Sequence, residues 1–259
     1  MSVLDRFRLD GRTAVVTGGS RGLGRAMAQA LAEAGADLVL IGREAESLAA
    51  AQRELTALGR TVEVVPGDVS TPPGAEAACR DVLNRNRPID ILVNNVGGRR
   101  IDVPAEDTPL AQWQELIDLN LTSALVCCQH LCRGMLERGK GAVVNVTSIA
   151  GPIAIKGIRG RHYETAKAAL TALTKSLAAD WAPRGVRVNA IAPGVFLTAP
   201  NRKWFGEKPD FQQGFVAHIP MDRMGEPEEL GPVAVFLASD ASSYVTGATV
   251  VVDGGYTLW

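Results

Sequence analysis

The sequence of 259 residues contains few aromatic side chains, few cysteines and almost no net charge. Aromatics make up 5%, there are four cysteines, and 27 Lys and Arg nearly balance 28 Asp and Glu. So few cysteines do not form a disulfide scaffold and fit a reducing compartment. A formal charge of −1 excludes a general polyanion binder, because nucleic-acid binding usually requires a basic excess on one face.

Long hydrophobic runs are also missing. No apolar stretch reaches the roughly 18 residues that a membrane-spanning helix needs. The N-terminal segment 1–10 carries Asp5, Arg6, Arg8 and Asp10, so it has no apolar centre of the signal-peptide kind. We therefore expect a cytoplasmic protein without a membrane partner.

Short apolar segments alternate with helical patterns along the whole chain. Nearly all-apolar strands separated by helices are typical of a parallel sheet with helices on both faces. No linker or repeat interrupts the alternation, which predicts an α/β fold and a single domain over 1–259. The strands are predicted at Thr13–Val16, Asp37–Ile41, Thr61–Val65, Ile89–Val93, Ala142–Val146, Val186–Ala190 and Thr249–Val252.

Two longer segments complete this prediction. A continuous helix is expected near Trp113 to Leu136. The region from Pro193 to Gly225 is irregular and rich in Pro, Gly, Trp and Phe. A loop of that length within a domain is more often a lid than a linker, so we expect a substrate loop at about 194–225.

Three glycines, Gly18, Gly22 and Gly24, lie between the first strand and the first helix. Without side chains they allow a tight turn and let a pyrophosphate approach the helix N-terminus, whose free N–H groups favour anions. Tight turns also use glycine for structural reasons alone. A second strand about twenty residues on is the context of a dinucleotide site, which the sequence therefore predicts.

The end of the second strand indicates which dinucleotide is preferred. An acidic residue there would select NAD(H), whereas this chain has Gly42 followed by Arg43, with Arg21 in the glycine turn. Two guanidiniums suit a 2′-phosphate, so NADP(H) is favoured over NAD(H). The alternative is that Arg43 and Glu44 are an exposed pair at a helix start.

A serine and a Tyr–Lys pair provide candidate catalytic groups. Tyr163 and Lys167 are four residues apart and share one face of a predicted helix, and Ser148 follows a strand. A lysine cation favours the phenolate of a neighbouring tyrosine and lowers its pKa from about 10 towards neutrality. Taken alone, such a Tyr–Lys pair is often only a surface pair.

Together these motifs resemble the short-chain dehydrogenase/reductase family over essentially the whole chain. The family implies a Rossmann-type, doubly wound parallel sheet, usually a homotetramer, and reversible hydride transfer between a nicotinamide and an alcohol or ketone. The motifs are TGGSRGLG at 17–24, Asp68-Val69, Asn94-Asn95-Val96-Gly97, Asn120, Ser148, Tyr163 with Lys167, Pro193-Gly194 and Asp253-Gly254-Gly255. Val96 replaces the family's usual alanine, and the fifteen-residue interval from Ser148 to Tyr163 is longer than is common.

The resemblance also implies residue roles. Tyr163 would be the general acid/base, Lys167 would lower its pKa and hold the nicotinamide ribose, Ser148 would position the substrate oxygen, and Asn120 would support a proton relay. The remaining implied cofactor contacts are Gly18, Ser20, Arg21, Gly22, Leu23, Gly24, Arg43, Asp68, Val69, Asn95, Gly97, Pro193, Gly194, Val195 and Thr198.

Cationic residues cluster in two segments that the family places beside the active site. Arg99 and Arg100 follow Gly98, and Arg161 and His162 precede Tyr163. Such a cluster of positive charge could attract an anionic small-molecule substrate, although arginines that are only exposed to solvent would give the same sequence pattern. The chain is similar to gluconate 5-dehydrogenase-like members, which implies a sugar acid or hydroxy acid.

Two other functions stay open. A 3-oxoacyl-[acyl-carrier-protein] reductase would also use surface arginines to meet its acidic partner. A non-catalytic nicotinamide-nucleotide sensor is disfavoured because the tyrosine and lysine are present. Cys127, Cys128, His130 and Cys132 have poor ligand spacing, so we predict buried thiols and no metal site.

Overall fold

A computed structural model describes residues 2–98, 101, 103–155, 159 and 161–258. Its seven strands form one all-parallel sheet in the order β3-β2-β1-β4-β5-β6-β7. The strands are β1 (Thr13–Thr17), β2 (Asp37–Gly42), β3 (Val62–Pro66), β4 (Ile91–Asn94), β5 (Gly141–Val146), β6 (Val186–Pro193) and β7 (Thr249–Val252).

Ten α-helices are formed by the described residues. They are α1 (Gly22–Glu33), α2 (Ala45–Thr56), α3 (Pro72–Leu83), α4 (Leu110–Ile117), α5 (Ser123–Leu131), α6 (Arg133–Arg138), α7 (Arg161–Trp181), α8 (Ala199–Gly206), α9 (Pro209–Val216) and α10 (Gly231–Ala238). Among these residues, no helix combines the length and apolarity needed to cross a membrane.

Both faces of the sheet are covered, which confirms the predicted Rossmann-type fold. Because side chains alternate along a strand, Ala14 and Val16 of β1 pack on one side with α1, α2 and α10. Val15 packs on the other side with α3, α5 and α6. Burial on two faces explains why the strand sequences are almost entirely apolar.

Strand order reverses between β1 and β4. The chain builds β1, β2 and β3 in one direction from this point and β4 to β7 in the other. The loops that leave the carboxyl ends of β1 and β4 therefore diverge and open a crevice between them. Ligands of open α/β sheets bind at such a point.

The long helix predicted near Trp113 to Leu136 is wrong as a continuous element. The structure has α4, a π-helical turn at Asp118–Thr122, then α5 and α6. Within the turn, the Asn120 side-chain amide donates to the Leu116 carbonyl at 2.9 Å. It thus competes for the acceptor that a regular helix would offer to the backbone N–H of residue 120.

The segment from Pro193 to Gly225 is not irregular throughout, since it contains α8 and α9. Phe205, Phe215, Ile219 and Met224 form a separate apolar cluster there. The ring of Phe215 stacks on that of Tyr256, near the C-terminus, with centroids 4.8 Å apart. These contacts give the segment its own small core.

The four cysteines are buried free thiols, which confirms the prediction made for Cys127, Cys128 and Cys132. Cys127 and Cys128 belong to α5, and Cys79 of α3 lies in the same core cluster. A hydrogen bond with Cys79, together with burial, raises the pKa of the Cys127 thiol well above its usual range. The thiols behave as small apolar side chains of the core.

Candidate active site

A cleft of about 500 Å³ opens at the carboxyl edge of the sheet, where the strand order reverses. Its walls come from the segments that follow β1 to β6, because parallel strands end at one edge. Most of the predicted site residues line it: Gly18, Ser20, Arg21, Gly22, Leu23, Arg43, Asp68, Val69, Asn95, Gly97, Ser148, Tyr163, Lys167, Pro193, Gly194 and Thr198.

The glycine turn forms one wall and leads into α1. Gly18 and Gly22 have φ angles of +65° and +56°, in the region that favours glycine. The N-cap residue Arg21 makes no side-chain capping hydrogen bond to α1, so the first N–H groups of this helix stay available to an anion. Gly24 is buried behind the turn, where an added Cβ would lie 2.3 Å from the Gly18 carbonyl oxygen.

These features fit a dinucleotide pyrophosphate. A Cβ added at Gly22 would meet only Thr198, at 3.5 Å, so the backbone here faces open space. The turn therefore combines uncapped N–H groups with room for a ligand to approach the backbone. Gly24 does not line the cleft, and its contribution is the close packing of the helix on the turn.

Hydrogen bonds join the end of β1 to the residues that follow β4, where the two loops begin to diverge. The Thr17 hydroxyl accepts from the backbone N–H groups of Asn95 and Val96, at 2.9 and 3.1 Å. The side-chain amide of Asn95 donates to the Thr17 carbonyl at 3.0 Å. Asn95 thus holds the two diverging loops together.

Charged and hydroxyl side chains surround the end of β2. Arg21 Nη1 donates to Glu44 Oε1 at 2.9 Å, and both side chains line the cleft. Arg43 lies beside them and is exposed. The hydroxyls of Ser20 and Ser47 are 3.4 Å apart in the same wall.

Lys167 lies at the opposite end, among residues that follow β4 and β5. Its Nζ donates to the Val146 carbonyl at 2.8 Å and is 5.9 Å from the centre of the Tyr163 ring. The side chain is buried, and this burial lowers the pKa of Lys167 from 10.5 to about 8. The ammonium can exchange a proton near neutral pH while it faces the tyrosine.

Asn120 reaches this end from the π-helical turn. Its Oδ1 accepts from the Gly98 N–H at 2.9 Å, and its Nδ2 donates to the Gly98 carbonyl at 3.1 Å. A Cβ at Gly97 would lie 2.7 Å from Lys167 Nζ and 2.9 Å from Asn120 Oδ1. Gly97 therefore lets the lysine and the asparagine converge behind the cleft wall. Asn120 is not itself part of the wall.

Ser148 lies two residues after the end of β5 and lines the cleft. Its Oγ accepts a hydrogen bond from the Ala150 N–H at 3.1 Å, which orients the hydroxyl. Ser148, Tyr163 and Lys167 thus line one end of the cleft. The glycine turn with Arg21, together with Arg43, lines another part of the same cleft.

The cationic residues predicted to bind substrate are arranged differently. Arg161 Nη1 donates to both carboxylate oxygens of Glu164, at 2.8 and 2.6 Å, and lines a second cavity with Arg159 and Glu106. His162 is buried at 1% exposure. Neither lines the main cleft, and Val195 is also absent from its wall. Arg99 and Arg100 lie outside the described residues.

Several cleft residues were missed by the sequence analysis. Ser47, Ser70 and Thr147 lie in the first turns or loops after β2, β3 and β5, and that position was a usable signal. Asn201 comes from α8, and its amide donates to the Phe196 carbonyl at 2.8 Å. From the sequence we expected a substrate loop at about 194–225, but not the helix α8 that carries Asn201.

Comparisons with known proteins show what the chain is similar to. Residues 18–257 match the family model described as enoyl-(acyl carrier protein) reductase. A galactitol 2-dehydrogenase from Rhizobium johnstonii is 41% identical over 100% of both chains. A gluconate 5-dehydrogenase from Gluconobacter oxydans is 38% identical, over 100% of this chain and 99% of that protein.

A solved structure is similar over the entire length. The gluconate 5-dehydrogenase from Burkholderia cenocepacia, in complex with NADP and tartrate, superimposes with a TM-score of 0.91 at 38% identity, covering 100% of both chains. Full-length relatives of this kind, together with the fold and the family model, identify the chain as an oxidoreductase that acts on secondary alcohols. It belongs to the short-chain dehydrogenase/reductase family and is an NAD(P)-dependent enzyme acting on CH–OH groups.

Proposed function

We propose that this enzyme uses NADP(H) to interconvert a secondary alcohol and a ketone on a sugar acid or hydroxy acid of the gluconate/5-ketogluconate kind. The observation that carries the chemistry is the meeting of Ser148, Tyr163 and Lys167 at one end of the cleft. The glycine turn lies in the same cleft and suits the pyrophosphate.

Each side chain has a task that follows from its position. A bound nicotinamide would accept the hydride on oxidation or supply it on reduction. The Tyr163 phenolate takes the hydroxyl proton of an alcohol as the ketone forms, and the resulting phenol returns it in the reverse direction. The Lys167 ammonium stabilises the phenolate, and the Ser148 hydroxyl holds the substrate oxygen. Asn120 keeps its place beside Lys167 through its bonds to Gly98.

The NADP(H) preference rests on the two arginines beside the end of β2. Arg43 and Arg21 line the cleft where the adenosine ribose would lie, and guanidinium groups bind phosphate bidentately. We expect a higher kcat/KM with NADP+ than with NAD+, and Arg43→Ala should reduce it with NADP+ alone. Equal losses with both cofactors would contradict the preference.

A sugar acid is supported by the gluconate 5-dehydrogenase relatives and by the sequence position of Arg99 and Arg100, directly after Gly98 of the cleft wall. The test compares gluconate with a neutral polyol of the same carbon number. The acid should be preferred, and Arg99→Ala should reduce that preference. Arg161→Ala is a matched control, because Arg161 is paired with Glu164 away from the cleft.

A neutral polyol is the second candidate. Among the described residues, no Arg lines the catalytic end of the cleft, and the 41% identical relative is a galactitol 2-dehydrogenase. Equal or better turnover of the polyol would favour this candidate over the sugar acid. A 3-oxoacyl thioester belongs in the same assay, because the matching family model is named for an acyl-carrier-protein reductase.

We further propose that the chain is one domain, that 194–225 forms the substrate loop over the cleft, and that the protein is a homotetramer. The loop proposal is supported by Pro200 and Asn201, which line the cleft. The assembly proposal is supported by exposed apolar groups near the β7 edge, Tyr244 and Val251. Light scattering on the purified protein should give about four times the mass of one chain.

A further inference from the structure

After β7 the chain forms a tight C-terminal turn, 253–257, that the proposed mechanism does not use. The Asp253 carboxylate accepts hydrogen bonds from the backbone N–H groups of Gly255 and Thr257, at 2.8 and 2.9 Å. It also accepts a bond from the Thr257 hydroxyl at 2.8 Å. Side-chain bonds of this kind fix a turn, so the backbone of Tyr256, between the two bonded positions, is held in place.

The C-terminal turn lies between the cleft wall and the residues that follow α9. On one side, a Cβ added at Gly194, which lines the cleft, would lie 2.8 Å from Asp253 Cα. On the other side, the backbone N–H of Met221 donates to the Gly254 carbonyl at 3.1 Å. The turn is therefore in contact with both the cleft wall and the helical part of the segment proposed as the substrate loop.

The ring of Tyr256 joins this turn to α9. It stacks on the ring of Phe215, with centroids 4.8 Å apart and planes 16° apart. Phe215 is buried and belongs to the apolar cluster of the substrate loop, on which Ile155, from the interval between Ser148 and Tyr163, also packs. Because aromatic stacking at this separation is favourable beyond the burial of area, Tyr256 anchors the cluster to the C-terminal turn.

The two ends of the substrate loop are held together without Tyr256. The backbone N–H of Leu197 donates to the Gly225 carbonyl at 2.8 Å, and the Gly225 N–H donates to the Val195 carbonyl at 3.0 Å. Thr198, a proposed cofactor contact, directly follows this bonded pair of segments. Loss of the Tyr256 ring should therefore release α8 and α9 while the cofactor contacts stay in place.

From these contacts we infer that Tyr256 is a positioning residue for the substrate: through Phe215 it holds α8 and α9 in place before the substrate binds. The inference rests on the proposed substrate loop at 194–225. When a binding-competent conformation is populated only in part, the apparent dissociation constant rises in proportion. Tyr256 therefore acts on the affinity for the substrate and leaves proton and hydride transfer unchanged.

Tyr256→Leu removes the ring and keeps an apolar side chain. The KM for gluconate at saturating NADP+ should rise about 3- to 10-fold, the effect of losing one aromatic stack, while kcat and the dissociation constant of NADP+ change less than about twofold. Tyr256→Phe keeps the ring and should retain the wild-type KM. Galactitol replaces gluconate in these assays if the wild type oxidises only the polyol.

Two further variants test whether the stack itself is responsible. Phe215→Leu removes the ring on the other side and should also raise KM, and the double variant should give less than the product of the two single effects. Phe7→Leu is the matched control, because Phe7 and Phe236 pair at a centroid distance of 6.3 Å and neither is among the described residues that line the cleft. It should leave KM unchanged even where it lowers the free energy of unfolding.

Limited trypsin digestion tests the position of the helices without a substrate. Lys203 of α8 and Lys208, between α8 and α9, are exposed. A released segment opens more often, so cleavage after both lysines should be faster in Tyr256→Leu and Phe215→Leu than in the wild type and Phe7→Leu.

The outcomes separate this inference from the proposals on which it rests. Cleavage rates and KM values that match the wild type, or an equal rise of KM in Phe7→Leu, would overturn the role of Tyr256. Faster cleavage with an unchanged KM would refute the substrate loop and this inference with it. A wild type that oxidises neither gluconate nor galactitol would count against the proposed function, and the trypsin comparison would still decide whether Tyr256 holds the segment.

Discussion

The side-chain amide of Asn145 on β5 donates a hydrogen bond of 2.9 Å to the hydroxyl of Thr174 on α7. Both residues are fully buried. Asn145 Oδ1 accepts in turn from the Asn94 amide at 2.9 Å, and the Thr174 hydroxyl donates to the Leu170 carbonyl at 2.8 Å. This oriented chain ties two strands of the sheet to the helix that carries Tyr163 and Lys167.

Removing the Thr174 hydroxyl should loosen that attachment. Thr174→Val keeps the shape of the side chain but leaves the Asn145 amide without its acceptor, at a cost of about 1–3 kcal/mol in the free energy of unfolding. Urea unfolding of the purified variant measures this loss. Thr174→Ser retains the hydroxyl and should recover most of it.

Thr171→Val is the control for this series. The Thr171 hydroxyl lies on the same helix and, among the described residues, donates only to the Lys167 carbonyl of its own helix. Its removal leaves no buried donor in the sheet unpaired, so the loss should be clearly smaller. Equal losses for the two valine variants would show that the link between β5 and α7 contributes nothing of its own.

Tyr163→Phe removes the hydroxyl that the proposed mechanism uses to transfer a proton. Turnover should fall by about 10²–10⁴-fold, the usual contribution of a general acid/base, while nucleotide affinity changes little. Tyr244→Phe is a matched control because that side chain is fully exposed. Activity retained in the Tyr163 variant would require another proton donor, and a wild type inactive on every substrate would favour a nucleotide sensor.

Lys167→Met should raise the free energy of unfolding of the cofactor-free protein. The same variant should have no activity when the cofactor is supplied. Burial lowers the pKa of Lys167 from 10.5 to about 8, which disfavours the charged folded form at neutral pH. That shift corresponds to roughly 3 kcal/mol, from which the lost bond to Val146 subtracts about 1, so a gain of about 2 kcal/mol is expected at pH 7.

The stability gain of Lys167→Met should decrease as the pH rises. Between pH 8 and 10.5 the unfolded lysine binds a proton that the folded one has released, so wild-type stability rises with pH in that window. The advantage of the methionine variant must therefore decline towards pH 10.5. Urea unfolding of both proteins at pH 7 and pH 10 measures the difference, and a pH-independent gain would contradict burial as its source.

Gly24→Ala should disturb the glycine turn. The new methyl group would lie 2.3 Å from the Gly18 carbonyl oxygen and 2.5 Å from Asn95 Nδ2, which forces α1 away from the turn. We expect a loss of about 1–3 kcal/mol in stability, typical of overpacking, and weaker nucleotide binding. At Gly206, another helical glycine, an added Cβ meets nothing within 4 Å, so Gly206→Ala should preserve both properties.

Local patterns were sufficient for the parts of the protein whose chemistry is contained in a few neighbouring residues. The apolar run that ends at Gly18 predicts β1 and the glycine turn, since glycines without side chains allow a tight turn between a strand and a helix. The spacing of Tyr163 and Lys167 predicts a shared helix face for the same reason. The break at Asn120 was missed, because it depends on a side-chain bond within the helix that composition does not reveal.

By itself, the sequence determined the strand and helix alternation, the position of the glycine turn and the residue types available for catalysis. These depend on backbone conformation and side-chain periodicity, which act over short distances. Only the tertiary structure decided which distant charges share a surface: it paired Arg21 with Glu44 and left Arg43 unpaired within the described chain. Such pairing depends on how loops from different strands meet, and residues 21 and 44 meet only because β1 and β2 are neighbours in the sheet.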